Sequence, residues 1–323
     1  MLKSRKRKII PKKMSRKTKK QQSVGYLLEV GTLESMRAAK QRTQDLLDYK
    51  WAHYSELAYQ RNQNLEAIKK ALLGSSASDF TFKGWQRAVK YKYSLHPLGT
   101  LGSVANIGGR FNTGSEVNSN VPTHPALYLA QDKNTALQET LGQENDPSRR
   151  LTPQELALTN PQSETIVEVS GYLEKVFDLR KPKTLNSLVA IIKHFEFSDT
   201  LLMRSRELKL DTPIIVKSSS ELLATILAKD WRNWPENFDV PANSQILGHL
   251  LYIAGLEGVV YPSKLTGKDC LAVFPANFNK GSSFIQIDGD PPHAKVPLRI
   301  DARTWPICDF NFDDLSDANA ILQ

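Results

Sequence analysis

The chain has 323 residues, of which 40% are hydrophobic and 24% are charged. This length and composition exclude a fibrous or wholly disordered protein and allow one large domain or two smaller ones. The formal net charge is +9, but eleven of the 43 basic residues lie between Lys3 and Lys20. The other 32 basic residues stand against 34 acidic ones. The folded part of the chain is therefore not predicted to be basic.

Residues 1–28 are predicted to form a basic disordered tail. This segment repels itself and has little apolar surface to bury. It also lacks the apolar run of a secretory signal. Its residues 3–20 are compatible with nucleic-acid or anionic-surface contact, with a basic targeting signal, or with a solvated extension, and the residues themselves leave these alternatives open.

The sequence predicts neither a membrane span nor a metal site. No stretch reaches the roughly 18 consecutive apolar residues of a membrane helix, so we expect a soluble, cytoplasmic protein. Cys270 and Cys308 fit no metal-ligand spacing, and two cysteines are too few for a disulfide framework. The histidines show no close ligand spacing either, so we expect no catalytic metal and a reducing compartment.

Residues 29–78 are predicted to be helical. Apolar residues such as Leu47, Trp51 and Tyr54 recur at spacings of three and four amid alternating charges. This pattern is typical of one long helix or of two shorter ones. The sequence "GSSAS" at 74–78 breaks the pattern and marks a boundary.

Residues 79–285 are predicted to form a domain of mixed strands and helices, followed by a C-terminal extension, 286–323. The predicted strands are "PALYLA", "ETIVEVSGYL", "TPIIVKSS", "GVVYPS", "DCLAVFPA" and "SFIQID". The predicted helices are "DKNTALQETLG", with Asp132 as N-cap and Gly142 as its end, "TLNSLVAIIKHFEF", "SELLATILAKDW" and "QILGHLLYIAG". Strands and helices mixed in one stretch favour an α/β or α+β fold over a helical bundle.

The sequence "GGRFNTG" at 108–114 is the first candidate for a binding segment. Gly108 and Gly109 allow left-handed backbone and close approach to a ligand. Arg110 offers a planar fork of donors that matches phosphate or carboxylate. By itself, the segment is equally typical of a turn whose arginine forms a surface ion pair.

Three further candidates follow along the chain. Tyr128 lies in the strand "PALYLA", and Glu139 lies close to the apolar face of the next helix. Ser263 ends the strand "GVVYPS", where open α/β sheets commonly bind ligands. No GxSxG sequence surrounds Ser263, which excludes a serine-hydrolase elbow. Taken singly, these residues are more simply interpreted as a core tyrosine, a solvated glutamate and a turn serine.

In this order, however, the segments resemble the RES domain, which is named for an arginine, a glutamate and a serine. The resemblance covers roughly residues 80 to 280 and rests on "GSVANIGGRFNTG", "PALYLAQDKNTALQETLG" and "ANSQILGHLLYIAGLEGVVYPSKLTGKDCLAVFP". The family arginine, strand tyrosine, glutamate and serine fall on Arg110, Tyr128, Glu139 and Ser263. Phe111 replaces the usual tryptophan, and "SEVNSNVPTH" is interpreted as a longer loop beside the cleft.

The resemblance implies a fold similar to ADP-ribosyltransferases and cleavage of NAD at the nicotinamide–ribose bond. Similar family members are toxins of toxin–antitoxin pairs with an Xre-like antitoxin. They degrade NAD by phosphorolysis or hydrolysis, or transfer ADP-ribose to a protein. NAD is then the substrate, and no further cofactor is expected.

The resemblance also implies a role for each matched residue. Glu139 would stabilise the positive charge that develops on the ribose as nicotinamide leaves. Arg110 would hold the pyrophosphate, with clearance for the ligand provided by Gly108 and Gly109. Tyr128 would wall the nicotinamide, and Ser263 would donate to phosphate or ribose. The alternative hypothesis is a non-catalytic nucleotide-binding module whose basic tail binds nucleic acid or an anionic surface.

Overall fold

The computed structural model describes residues 33–90, 93–118, 120–141, 164–278, 282–291 and 294–308. The predicted tail at 1–28, the helix end at Gly142 and the end of the C-terminal extension lie outside the described residues. None of the described helices is long and apolar enough to cross a bilayer.

The predicted helical region contains two helices, α1 (Leu33–Gln63) and α2 (Leu65–Gly74). They are separated at Asn64, whose side-chain amide donates to the carbonyl of Gln60 (2.9 Å). An asparagine that bonds to the preceding turn competes with the helical backbone, which accounts for the break. The chain divides into two compact units between Gln44 and Asp45. In the first unit, the side chains described along α1 are exposed.

The second unit contains a seven-stranded mixed sheet in the order β1-β4-β7-β6-β5-β8-β9. Strands β5 and β6 pair in parallel, whereas the other neighbours are antiparallel. The long strands β1 and β5 also pair with each other and so link the two ends of the run β1-β4-β7-β6-β5. A separate two-residue hairpin is formed by β2 and β3. The strands are β1 (Ala77–Lys90), β2 (Gly108–Gly109), β3 (Asn112–Thr113), β4 (Leu127–Ala130), β5 (Glu164–Asp178), β6 (Gly258–Pro262), β7 (Asp269–Val273), β8 (Phe284–Asp288) and β9 (Arg299–Asp301).

Helices precede, interrupt and follow the strands in the second unit. As expected, Asp132 caps α3, because its Oδ1 accepts from the backbone N–H of Thr135 (2.9 Å). The remaining helices are α3 (Lys133–Leu141), α4 (Asn186–Ile192), α5 (Asp199–Glu207), α6 (Ser219–Ile226), α7 (Asn233–Phe238), α8 (Asn243–Ile253) and α9 (Trp305–Cys308). The prediction of a mixed α/β protein is therefore confirmed.

Two hydrophobic cores lie on opposite faces of the sheet. Along β7, Cys270 and Ala272 pack into a core shared with the helices, whereas Leu271 and Val273 pack into a core built mainly from the strands. Side chains that alternate between two buried faces explain why this strand is an almost continuous apolar run. The helix-covered face is the one that also receives Tyr128 and Phe111.

The structure differs from the sequence prediction most clearly at "TPIIVKSS". Residues 211–217 are not part of any strand. Ile214 is 81% exposed, while Ile215 and Val216 pack against the helix-covered core. An apolar run can be buried by helices without pairing as a strand, and apolar periodicity alone does not separate the two cases. The segment "NWPENF", for which the sequence predicts no element, forms the short helix α7.

Candidate active site

A cavity of about 480 Å³ opens on the helix-covered side of the sheet. Its walls come from β1, the segment 93–110, β4, α3 and residues 231–232. Five residues singled out in the sequence line it: Gly108, Gly109, Arg110, Tyr128 and Glu139. Their convergence from three separate parts of the chain makes this cavity the candidate active site, and its volume is that of an ordinary ligand pocket.

The two glycines shape the segment around Arg110. Gly108 has φ +86°, a left-handed conformation that side chains rarely adopt. A Cβ added to Gly109 would lie 2.6 Å from Cε2 of Tyr128. The space beside Gly109 is thus filled by a ring of the protein itself. The glycines provide clearance for the chain's own packing, which differs from the ligand clearance that we expected.

The Tyr128 hydroxyl holds the same segment. It accepts from the backbone N–H of Phe111 (2.8 Å) and donates to Oδ1 of Asn112 (2.7 Å). The Asn112 Oδ1 also accepts from the N–H of Gly109 (3.1 Å). Burial raises the pKa of Tyr128 well above its ordinary value, so the hydroxyl stays protonated and continues to donate. Its ring borders the cavity, while its polar atom positions the backbone on either side of Arg110.

The Arg110 guanidinium is held by a carbonyl and by an aromatic ring. Arg110 is 8% exposed, and its Nη1 donates to the carbonyl of Ala228 (2.9 Å). Its Cζ lies 5.6 Å from the ring centroid of Trp231, and that of Arg232 lies 4.8 Å from the same centroid. Burial, followed by the charge of Arg110, lowers the pKa of Arg232. Two neighbouring guanidinium groups therefore border one cavity, an arrangement that favours an anionic ligand.

Sequence reasoning missed the second of these arginines. Trp231 ends the predicted helix "SELLATILAKDW", and Arg232 follows it in a stretch for which the sequence predicts no element. The available signal was the density of aromatic residues around Arg232 in "WRNWPENF". That signal does not say which distant residue the pair will contact, so it could not be assigned to the site of Arg110.

A buried glutamine fixes the Arg110 segment from behind. Gln245 is fully buried, and its Oε1 accepts from the N–H of Ala242 (3.0 Å), at the start of α8. Its Nε2 lies 2.9, 3.2 and 3.1 Å from the carbonyl oxygens of Ile107, Gly109 and Asn112. Two N–H groups thus serve three acceptors. The "SQILG" sequence that matched the family pattern contains this residue, although sequence alone did not assign it a function.

Glu139 and Ser263 are joined by a hydrogen bond. The Ser263 hydroxyl donates to Oε1 of Glu139 (2.6 Å) and accepts from the N–H groups of Leu265 (3.1 Å) and Thr266 (3.2 Å). Ser263 is 3% exposed and is not among the described residues that line the cavity. Ser263 therefore lies behind Glu139 as seen from the cavity, where its hydroxyl orients the carboxylate. Oε2 of Glu139 accepts no hydrogen bond from the described residues.

The charges around the cavity are unequal. Among the described lining residues, Glu139 is the one carboxylate, and four are basic: Arg87, Lys90, Arg110 and Arg232. Among the described residues, Glu139 forms no ion pair with Arg110 or Arg232. Burial raises the pKa values of the neighbouring Tyr261 and Cys270, so both remain neutral. The site thus combines a cationic wall with a single oriented carboxylate.

Comparisons with known proteins add a structural likeness. The sequence matches no protein-family model and no curated protein. The chain is similar to a solved structure, the crystal structure of the M. tuberculosis MbcT-MbcA toxin–antitoxin complex. The identity is 13%, the match covers 76% of this chain and 98% of that chain, and the TM-score is 0.37. A likeness at this level establishes neither fold nor function for this chain.

Proposed function

We propose that the cavity binds NAD and that the protein cleaves the bond between nicotinamide and ribose. The observation that carries the proposal is the convergence of Arg110, Tyr128 and Glu139 on one cavity, with Ser263 bonded to Glu139. These are the four residues at which the sequence resembles the RES domain. Residues spread over more than 150 positions have no structural need to meet at a cavity, so their meeting supports a shared function.

The proposed reaction makes direct use of the oriented carboxylate. As the bond from C1′ of the ribose to nicotinamide breaks, nicotinamide leaves as a neutral base with the bonding electron pair. The ribose acquires oxocarbenium character, which the negative charge of Glu139 stabilises. The acceptor then bonds to C1′, and a protic acceptor releases its proton to the solvent. Water, phosphate and a protein side chain are the three candidates. Ser263 contributes by keeping the carboxylate of Glu139 in one orientation.

The cationic wall suits the rest of the substrate. The pyrophosphate of NAD carries two negative charges, and guanidinium groups form paired, charge-assisted hydrogen bonds with phosphate oxygens. Arg110 and Arg232 lie side by side on Trp231, so we assign the pyrophosphate to this pair. That placement leaves the aromatic walls at Tyr128 and Tyr261 for the nicotinamide end.

The proposal extends to the finer properties that the family resemblance implies. These are an ADP-ribosyltransferase-like fold, a toxin role and an Xre-like antitoxin as partner. The mixed sheet with a helix-covered face that bears the site supports the first of them. The other two rest on the resemblance alone.

Product identification tests the proposed function. The protein is incubated with NAD, with and without inorganic phosphate, and the products are identified by mass spectrometry. We expect the protein to release free nicotinamide whenever the reaction contains the acceptor that it uses. Phosphorylated ADP-ribose indicates phosphorolysis, free ADP-ribose indicates hydrolysis, and ADP-ribose bound to protein indicates transfer. If no nicotinamide is released under any of these conditions, the proposed function is wrong.

Replacing Arg232 by glutamine should weaken substrate binding more than it slows the chemical step. A hydrogen bond to a charged group contributes about 1.5–3 kcal/mol, so we expect the KM for NAD to rise roughly tenfold or more, with a smaller change in kcat. Steady-state kinetics of nicotinamide release measure both. The matched control is Arg206→Gln, which removes the same charge from an exposed position on α5. A fall in kcat with an unchanged KM would place Arg232 away from the pyrophosphate.

A further inference from the structure

A second cavity lies on the other side of α8 from the candidate active site. Its volume is about 200 Å³. The walls come from α1, α4, the segment 211–217, α6 and α8. Most of the lining side chains are leucine, isoleucine, valine and phenylalanine, among them Leu57, Ile214 and Leu250.

One permanently charged side chain borders this apolar space. Arg61 lines the cavity near the end of α1, and its Cζ lies 5.4 Å from the ring centroid of Tyr54. The Tyr54 hydroxyl is also its hydrogen-bond partner. Arg61 forms no ion pair with a carboxylate among the described residues. Burial lowers its pKa, although an arginine remains protonated at neutral pH.

The other polar side chains of the cavity do not neutralise this charge. They are His53, Thr225 and Asn243. The ring of His53 stacks on Phe197, with centroids 5.0 Å apart. Burial and the charge of Lys50 lower the pKa of His53 to about 4, so His53 is neutral at pH 7. The cavity is therefore apolar except for one cation that no described carboxylate balances.

We propose that this cavity binds an apolar monocarboxylic acid, with the carboxylate on Arg61 and the hydrocarbon chain against the leucine, isoleucine and phenylalanine side chains. Arg61 is partly exposed, but a cation against apolar side chains without a counter-charge is unfavourable, and a ligand carboxylate supplies that counter-charge. The planar guanidinium matches a carboxylate through two parallel hydrogen bonds. A phosphate dianion fits less well, because a single cation lines the described cavity. The small volume selects a short or medium chain.

Helix α8 both lines the second cavity and holds the Arg110 segment. Asn243, Ile246 and Leu250 of α8 line it, while Gln245 on the same helix bonds to the carbonyls of the Arg110 segment. An occupant of the second cavity would thus pack against the helix that positions Arg110. The binding itself is independent of NAD cleavage and is tested without NAD.

Calorimetric titration of the full chain tests the proposal, with sodium octanoate, 1-octanol and sodium acetate as probes. We expect saturable binding of octanoate, binding of octanol that is about tenfold weaker or more, and no binding of acetate. Arg61→Gln should weaken octanoate binding to the level of octanol, whereas Arg206→Gln, at an exposed position, should not change it. No octanoate binding to the wild type, equal affinity for octanoate and octanol, or unchanged octanoate affinity in Arg61→Gln would each overturn the proposal.

If Arg61→Gln does not fold, a pair of variants at Ile214 tests whether the cavity binds a carboxylate. Ile214 is 81% exposed and lines the cavity, so a polar residue is tolerated there at little cost in stability. Ile214→Asp adds a negative charge that repels the ligand carboxylate, and Ile214→Asn is the neutral control of the same size. We expect octanoate to bind Ile214→Asp several-fold more weakly than Ile214→Asn, with octanol binding equally to both. Equal octanoate affinity in the two variants contradicts a carboxylate bound in this cavity.

Discussion

Replacing Glu139 by glutamine is expected to lower kcat for nicotinamide release by about 10²-fold to 10³-fold, the usual cost of losing one preorganised charge-stabilising group. Glutamine has nearly the same shape and can still accept from the Ser263 hydroxyl, so the fold and the KM for NAD should change little. The lost negative charge matters mainly in the transition state, when the ribose becomes positive. Steady-state kinetics of nicotinamide release measure the effect.

Two further variants test whether the loss in kcat is specific to the charge and orientation of Glu139. Glu116→Gln removes the same charge at an exposed position outside the cavity and should leave kcat unchanged. Ser263→Ala removes the hydrogen bond that orients Glu139, so we expect a smaller loss in kcat than in Glu139→Gln. If Glu139→Gln releases nicotinamide as fast as the wild type, Glu139 has no part in the reaction.

Replacing Gln245 by leucine is expected to lower the free energy of unfolding by about 2–4 kcal/mol. Leucine fills a similar volume but supplies no donor or acceptor. The carbonyls of Ile107, Gly109 and Asn112 and the N–H of Ala242 would each lose a buried partner. Leaving a buried polar group unsatisfied costs about 1–3 kcal/mol, and partial relaxation of the segment limits the sum. Urea unfolding followed by fluorescence measures the change.

A second buried glutamine provides the matched control. Gln138 on α3 is 5% exposed, and its Nε2 donates to Oδ1 of Asn134 (3.1 Å). Gln138→Leu therefore removes less buried hydrogen bonding for the same change in side chain. We expect it to destabilise the protein clearly less than Gln245→Leu. If the two variants are equally stable, Gln245 does not hold the Arg110 segment in the way described above.

The sequence predicted the elements whose patterns are local. The strand at Leu127–Ala130, the Asp132 cap and the strands on either side of Ser263 have the apolar spacing and punctuation that the structure confirms. The same approach failed for residues 211–217, where helices bury an apolar run that does not pair. Local apolarity indicates that a segment is buried, but it does not specify the distant element that buries it.

The residues of the candidate site fall into the same two groups: those that local patterns indicate and those that distant contacts position. Arg110, Tyr128 and Glu139 could be selected from the order of their motifs, and all three line one cavity. The positions of Trp231 and Gln245 beside the Arg110 segment depend on contacts across more than 100 residues, which no local pattern encodes. Ser263 could also be selected from its motif, but its burial behind Glu139 is set by the turn that supplies the N–H groups of Leu265 and Thr266.

The most direct test of the central claim is a crystal structure of the Glu139→Gln variant with NAD bound. The slowed variant should retain intact substrate. We expect C1′ of the nicotinamide ribose to lie beside the side chain of residue 139, and the pyrophosphate to lie on the guanidinium groups of Arg110 and Arg232. NAD bound outside this cavity, or bound in it with the adenine end at residue 139, would contradict the claim that this cavity cleaves the nicotinamide–ribose bond.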